Sequence, residues 1–126
     1  MSQPKTITID GVKYVRADEA KEKAGTIDGL EKVIVRSYGA GVFFGYLKEQ
    51  KAELNGVNIT LINARRIYYW AGACSLSQLA VDGSKDIVNC KISVPVGKQF
   101  IANCIEILPL TLKADKNLSG AIEWKK

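Results

Sequence analysis

The sequence contains no histidine among its 126 residues. Histidine activates most serine and cysteine nucleophiles and carries much of the acid–base catalysis near neutral pH, so its absence weighs against the common hydrolases. The acidic residues are scattered over predicted turns and surface helices and indicate no paired-carboxylate site. The chain also lacks a GxxxxGKS or GxxxxGKT loop, and the GAG at 39–41 lacks the rest of a dinucleotide-binding fingerprint. We therefore predict that the protein is not an enzyme and uses no cofactor.

Long apolar runs are also missing. No stretch approaches the roughly 20 apolar residues that span a bilayer, and the N-terminus lacks the charged and apolar blocks of a signal peptide. The three cysteines, Cys74, Cys90 and Cys104, are an odd number and match no zinc-binding spacing. We predict a cytoplasmic protein without membrane contact or bound metal, whose cysteines are small apolar residues buried in a reducing compartment.

What the chain does contain suits one folded unit. Hydrophobic residues make up 47% of it, which is enough for a core, and its length fits a single domain over residues 1–126. The net charge of +5 favours anionic partners through long-range attraction, but it falls short of a clear nucleic-acid footprint.

β-Strand patterns dominate the chain. The alternation in TITIDGVKYVR predicts a hairpin that turns at Asp10 and Gly11. Further stretches are rich in β-branched and aromatic residues and predict three neighbouring antiparallel strands: KVIVRSY, GVFFGYLKEQ and VNITLINA. RRIYYWAG either continues the third strand or starts a new one. Two more strands are predicted in NCKISVPVG and NCIEILPL, with Pro109 ending the second.

Helical signals are fewer. ADEAKEKAG, residues 17–25, predicts a short surface helix that ends at Gly25. Ser75 is the predicted N-cap of a helix in LSQLAVDG, and Thr111 that of a helix in the C-terminal stretch. The pattern predicts an α+β domain, built on a mainly antiparallel curled sheet or small open barrel with two or three short helices. Because edge strands in a small sheet invite pairing with another copy, we also predict a homo-oligomer.

The most specific candidate site lies in NARRIYYWAGACSLSQLA, residues 63–80. A strand here would place Arg66, Tyr68 and Trp70 on one face and Arg65, Ile67 and Tyr69 on the other. A guanidinium binds phosphate bidentately, an aromatic face stacks on a base, and the start of a helix at Ser75 and Ser77 favours an anion. The combination indicates a nucleotide. The structural alternative is that aromatic residues suit strands and that arginine stems cover apolar surface.

A second candidate site lies in VRSYGAGVFFGYL, where glycines interrupt a strong strand pattern. Arg36 and Tyr38 precede these glycines, so a bend here could admit a phosphate or a base. Sheet curvature is the structural alternative.

Several segments together resemble a family of small tailed-phage proteins whose usual description is a domain of unknown function. They are SYGAGVFFGYL, NARRIYYWAGACSLSQLAVDG, CKISVPVG, CIEILPL and the closing IEWK. The resemblance covers most of the chain from Val33 onward, and RRIYYWAGACSLSQLA is its most specific part. Cys74, Tyr68 and Tyr69 look like variations within this block, which leave its arginines, Trp70 and SLSQLA intact.

The resemblance implies a phage immune-evasion sponge in the host cytoplasm. Such a protein binds and sequesters a cyclic oligonucleotide or cyclic ADP-ribose signal without turnover and thereby silences CBASS or Thoeris defence. A symmetric groove between subunits would suit a symmetric cyclic dinucleotide. The ligand-binding residues in this hypothesis are Arg36, Arg65 and Arg66 for phosphates, Tyr38, Tyr69 and Trp70 for bases, and Ser75 and Ser77 as hydrogen-bond donors.

Two other functions stay open. A single-stranded nucleic-acid module could use the same side chains, and its affinity would fall with salt and rise with chain length. A protein–protein adaptor could act on a host enzyme with Tyr69 and Trp70 as anchors. The sponge hypothesis predicts that alanine at Arg65 or Arg66 abolishes binding with little change in Tm, whereas a large loss of stability would indicate a structural role.

Overall fold

The computed structural model describes residues 6–9, 12–15 and 22–125. Its regular elements are β1 (Thr6–Ile9), β2 (Val12–Val15), β3 (Lys32–Ser37), β4 (Gly41–Glu53), β5 (Gly56–Tyr69), α1 (Leu76–Asp82), β6 (Lys91–Ile92), β7 (Val96–Pro109) and α2 (Leu112–Ser119). A 3-10 turn, Ile87–Asn89, leads into β6.

The larger sheet curls into a ring of strand pairings. β3 pairs with β4, β4 with β5, β5 with β7 and β7 with β3, all antiparallel, and the short β6 joins the C-terminal end of β5. The ring is not a regular barrel, because β7 pairs with β5 through its first part and with β3 through its second part. The predicted α+β fold with a mainly antiparallel curled sheet is confirmed.

Cys104 is the residue at which β7 passes from one partner strand to the other. It pairs with Val57 of β5 and with Ser37 of β3, and the register shifts on both sides of it. Asn103, directly before it, has a positive φ of 55°. A β-bulge bends its strand and increases the local twist, so this irregularity lets a single strand close the ring.

The two faces of the curled sheet bury two apolar clusters. One cluster draws only on the four strands of the ring and consists of Val33, Val35, Phe43, Ile59, Leu61, Ala64, Ile101 and Cys104. The opposite face is covered by α1 and α2, where Leu79 and Leu118 pack with Ile34, Phe44 and Ile67. Alternation of buried side chains along each strand therefore serves both clusters.

β4 and β5 form a long hairpin. β4 continues through KEQKAE to Glu53, which pairs with Gly56, so only Leu54 and Asn55 connect the two strands. The predicted strand GVFFGYLKEQ therefore extends through three more residues before a tight turn. RRIYY continues β5 and does not start a new strand.

The helix starts are confirmed. Ser75 Oγ accepts a hydrogen bond from the Gln78 amide at the start of α1, and Thr111 Oγ1 accepts one from the Ala114 amide at the start of α2. β7 ends at Pro109, as predicted. Among the residues that the structure describes, no helix combines the length and the apolar character needed to cross a bilayer.

Other predicted elements differ or fall partly outside the described residues. NCKISVPVG forms only the two residues of β6, because the Arg66 amide donates to Ser93 Oγ rather than to a backbone carbonyl, and Pro95, just before β7, has no amide to donate. Residues 17–21 of the predicted first helix lie outside the described part, and 22–25 are not helical. The β1–β2 hairpin is confirmed by its register, although its turn residues, 10 and 11, are not described.

The three cysteines differ in exposure. Cys90 and Cys104 are buried, whereas Cys74 is exposed in the irregular stretch before α1, so the prediction of burial is wrong for Cys74. Burial raises the pKa of the Cys104 thiol, which lowers its thiolate fraction at neutral pH.

This difference predicts the outcome of thiol labelling. We expect a disulfide reagent to modify Cys74 in the native protein and to modify Cys90 and Cys104 only after denaturation, because the attacking thiolate must be accessible. Counting released chromophore before and after adding denaturant measures this. The Cys74→Ser variant should give no native signal, and rapid native labelling of that variant would contradict the described burial.

Candidate functional site

Arg65 lies in the interior, beneath the C-terminal end of α2, with 6% of its surface exposed. Its Nε donates to the Ser93 carbonyl at 2.7 Å. Nη1 donates to the carbonyls of Leu118 and Ser119, at 3.4 and 3.2 Å, and Nη2 donates to that of Ala121 at 3.2 Å. Carbonyls at the end of a helix lack the amides that a further turn would supply. Arg65 therefore closes α2 and ties the segment after it to β5.

The environment of Arg65 suits a structural cation. Burial lowers the pKa of its guanidinium from the ordinary value, and the nearby Glu123 carboxylate opposes that change. The group stays protonated at neutral pH, since an arginine does not lose its proton in proteins. Because all three guanidinium nitrogens donate to carbonyls, Arg65 is not part of the candidate site described below.

A β-bulge near the end of β5 decides where the next side chains lie. Ile67 pairs with Ile92, and Tyr69 pairs with Lys91, so Tyr68 is an extra residue opposite β6. Ile67 is buried, while Tyr68 and Tyr69 are 53% and 54% exposed. The two tyrosines thus follow each other on the accessible side of the strand.

The bulge also changes the position of Trp70. Arg66 and Tyr68 share a face, as predicted, with the Arg66 Cζ 5.5 Å from the Tyr68 ring centroid. Trp70 packs instead against the helix-covered cluster that contains Ile67, and its Nε1 donates to the Ala73 carbonyl at 3.2 Å. The predicted sharing of one face by Arg66, Tyr68 and Trp70 is wrong for Trp70, because one inserted residue reverses the alternation.

Four exposed or half-exposed side chains form a continuous line, which we call the cation–aromatic row: Arg66, Tyr68, Trp124 and Lys91. The Tyr68 and Trp124 ring centroids are 5.1 Å apart, with an angle of 59° between the planes. Lys91 Nζ lies 5.5 Å from the Trp124 ring centroid at the far end. Two aromatic rings therefore lie between two cations on one surface.

Arg66 stands at one end of this row with an unused hydrogen-bond donor. Its Cζ lies 4.6 Å from the ring centroid of the buried Phe43. Its Nε is buried and has no hydrogen-bond partner among the described residues. A buried donor without a partner is unfavourable by about 1–3 kcal/mol. Arg66 as a whole is half-exposed, so a ligand can approach its guanidinium only from the exposed side, whereas the Arg65 guanidinium donates to four carbonyls in the interior.

Backbone pairings hold the row in place. The Arg66 amide donates to Ser93 Oγ at 2.8 Å, and the Ser93 amide donates to the Arg66 carbonyl at 2.9 Å. The Trp124 amide donates to the Ile92 carbonyl at 2.8 Å, which fixes the C-terminal segment beside β6. The ring of Trp124 is thus positioned by a strand-like contact rather than by a free tail.

The remaining predicted site residues occupy other places. Arg36 Nε lies 3.9 Å from Glu106 Oε1 in a half-exposed ion pair. Tyr38 is exposed in the turn between β3 and β4. Ser75 caps α1, and Ser77 is exposed on that seven-residue helix. Within the described residues, no hydrogen bond, ion pair or cation–π contact joins these side chains to the cation–aromatic row.

A model of the family described as Domain of unknown function (DUF6948) matches residues 30–118. The chain belongs to this family. The span matched to DUF6948 includes Arg66, Tyr68 and Lys91 and ends before Trp124. No curated protein and no solved structure matches the chain. Membership of DUF6948 agrees with the resemblance to a domain of unknown function found in the sequence.

Sequence reasoning did not include Tyr68, Lys91 or Trp124 among the binding residues of this DUF6948 member. Tyr68 could have been found from its alternation with Arg66. Lys91 and Trp124 could not, because β6 and the C-terminal segment reach β5 through pairings between residues distant in sequence. In the described ranges, cysteine, aspartate and glutamate side chains form no group of three that could hold a metal ion.

Proposed function

We propose that this protein binds a nucleotide through the cation–aromatic row and holds it without chemical conversion, as a phage sponge for a cyclic oligonucleotide immune signal. The observation that carries the proposal is the order of cation, ring, ring and cation along one surface. Two rings between two cations match the two bases and two phosphates of a cyclic dinucleotide.

Each part of the row offers one of the interactions that such a ligand needs. Stacking of a base on an aromatic side chain contributes about 1–3 kcal/mol. Arg66 is half-exposed and can direct the exposed side of its planar guanidinium toward a phosphate. Lys91 supplies a second positive charge at the other end. Together these groups favour ligands that are both flat and anionic.

Sequestration without turnover fits the chemistry of these groups. The row consists of an arginine, a tyrosine, a tryptophan and a lysine, and the sequence supplies no histidine to act as a base near neutral pH. Hydrolysis of a phosphodiester would need a positioned nucleophile or base. The row instead provides charge neutralisation and stacking, which hold a ligand intact.

A second copy of the chain would complete the site. Tyr68 and Trp124 are 53% and 50% exposed, so a ligand stacked on them keeps its other face in water. Two rows brought together by a two-fold axis would cover both faces of a symmetric cyclic ligand. The proposal therefore includes a homo-oligomer in the ligand-bound state.

Calorimetric titration with cyclic di- and trinucleotides and cyclic ADP-ribose isomers tests this function. We expect saturable binding of one cyclic species, which chromatography then recovers intact. Tyr68→Ala and Arg66→Gln should each weaken that binding by about 5- to 150-fold, because each removes an interaction of about 1–3 kcal/mol.

Two control variants test whether loss of binding is specific to the row or follows from removing any exposed aromatic ring or positive charge. Phe100→Ala removes another exposed aromatic side chain, from β7, and Lys48→Gln removes one exposed positive charge from β4. Both should bind like the wild type. An equal loss in these controls, an absence of binding across the panel, or conversion of the ligand would contradict the proposal.

Single-stranded nucleic acid is the second candidate ligand, and the exposure of both rings on one surface favours it. Successive bases of a strand could stack on Tyr68 and Trp124 while the cations neutralise phosphates. This function predicts binding of oligothymidylate that strengthens with chain length and weakens steeply with salt. If no nucleotide binds, a protein partner is the next ligand to test.

A further inference from the structure

A separate cleft of about 390 Å³ opens where β3 ends, β5 begins and β7 bulges. Four described residues line it: Tyr38, Asn55, Asn103 and Ile105. None of these is charged, and none belongs to the cation–aromatic row. The volume falls within the lower part of the range of about 300–1,000 Å³ that is typical of small-molecule sites.

The backbone holds the walls of this cleft close together. A Cβ on Gly56 would lie 3.0 Å from the Cys104 carbonyl oxygen, so glycine lets the start of β5 approach β7 and brings the preceding turn to the cleft. The Tyr38 amide donates to the Asn103 carbonyl at 3.0 Å, and the Asn103 amide donates to Asn58 Oδ1 at 3.0 Å. The backbone around the bulge is therefore fixed on both sides.

The side chains leave a specific set of groups open. The Tyr38 ring is 84% exposed and Ile105 is 55% exposed, which gives the cleft two apolar surfaces. The lining of the cleft is mostly apolar, and Asn55 and Asn103 are exposed residues at its border whose side-chain amides each carry both a donor and an acceptor. An uncharged planar ligand could lie against the apolar surfaces and exchange hydrogen bonds with these amides through donor and acceptor atoms on its edge.

We infer that this cleft binds a nucleobase, with the ring held against Tyr38 and Ile105 and its edge hydrogen-bonded by Asn55 and Asn103. An asparagine side chain forms a bidentate pair with the donor and acceptor of adenine, so an adenine-type edge is the best match. This site goes beyond the function proposed above, because it uses none of the row residues and needs no phosphate.

NMR titration of ¹⁵N-labelled protein with adenosine tests the inference. We expect saturable shifts of the side-chain amide signals of Asn55 and Asn103, which are assigned by their loss in Asn55→Asp and Asn103→Asp. Each variant should weaken binding by about 5- to 150-fold, the range for loss of one bidentate base contact. Purine riboside, which lacks the 6-amino donor, should bind correspondingly more weakly than adenosine.

The chosen substitutions keep the fold. Aspartate has the shape of asparagine and is among the residues that tolerate the positive φ of Asn103, and Asn103→Gly provides a second variant without that backbone constraint. The far-ultraviolet circular dichroism spectrum and Tm should match those of the wild type.

The test also separates this site from the row. Arg66→Gln should leave the adenosine-induced shifts unchanged, and Asn103→Asp should leave cyclic nucleotide binding at the row unchanged. An absence of saturable shifts up to the solubility limit of adenosine would overturn the inference. Shifts that persist with equal affinity in all three asparagine variants would overturn it as well.

Discussion

Replacing Arg65 with alanine is expected to lower the free energy of unfolding by about 3–5 kcal/mol. The change removes a buried guanidinium and leaves the carbonyls of Ser93, Ser119 and Ala121 without their donor, while the Leu118 carbonyl keeps the Ala121 amide. Breaking a buried charged interaction from one side has an effect of this size, because the groups left behind remain desolvated. Denaturant unfolding followed by circular dichroism measures the change.

Two comparison variants sharpen this prediction. Arg65→Lys keeps the charge, but a lysine has one nitrogen and cannot serve acceptors on two sides, so most of the loss should remain. Arg66→Ala, at the neighbouring position, should change stability by no more than about 1 kcal/mol, since loss of the cation–π contact with Phe43 is offset by removal of an unpartnered buried donor. Equal stability losses at the two positions would contradict the assignment of Arg65 to the fold and of Arg66 to the surface.

The Asp115→Ala variant is expected to lose about 3 kcal/mol of stability. Asp115 Oδ1 lies 2.6 Å from Lys32 Nζ, and the two side chains are only 16% and 10% exposed. Ser119 Oγ donates to the same carboxylate oxygen at 2.7 Å, and Lys32 Nζ donates to Ser119 Oγ at 3.0 Å. Without the carboxylate, the Lys32 ammonium stays in a poorly hydrated place with only a hydroxyl and aromatic rings nearby.

A double variant distinguishes two causes of the stability loss: an unpaired buried charge and the loss of side-chain packing. Lys32→Met combined with Asp115→Leu removes both charges and keeps apolar volume, so its stability should lie within about 1 kcal/mol of the wild type. Lys32→Met alone and Asp115→Leu alone should each lose about as much stability as Asp115→Ala, which completes the double-mutant cycle. If the double variant instead lost the sum of the two single effects, the ion pair would not be the cause, and the double-mutant cycle would show no coupling.

Elements with local signals could be predicted from the sequence. Ser75 and Thr111 indicate helix starts, because each has a side-chain oxygen that accepts a hydrogen bond from the amide three residues later. The strands in KVIVRSY and GVFFGYL follow from their own composition, and the short turns around them make antiparallel neighbours. The predicted curled sheet agrees with the closed ring. The role of Cys104 could not be predicted, because a bulge depends on the strands that pair on both sides of it.

The candidate site was predicted in part, for reasons that lie in particular residues. Arg65 and Arg66 have the same chemistry and adjacent positions, yet packing under α2 gives the Arg65 guanidinium four carbonyl partners, while the Arg66 Nε has none among the described residues. Because Tyr68 is an extra residue in β5, the side chains that follow it lie on the face opposite to the one expected from simple alternation. Trp124 stands beside Tyr68 because the C-terminal segment pairs with Ile92, a contact that no pattern within IEWKK indicates.

Closure of the ring sets the pace at which the chain can fold. β3, β4 and β5 follow each other through short turns and can pair soon after the chain collapses. β7 must reach β3 across nearly the whole intervening sequence, since Val33 pairs with Pro109. Contacts between such distant residues carry a large loop-closure entropy and slow folding. Until β7 pairs, the edges of β3 and β5 remain without a partner strand. During synthesis at high concentration, these edges can pair with the edges of neighbouring molecules instead of with β7.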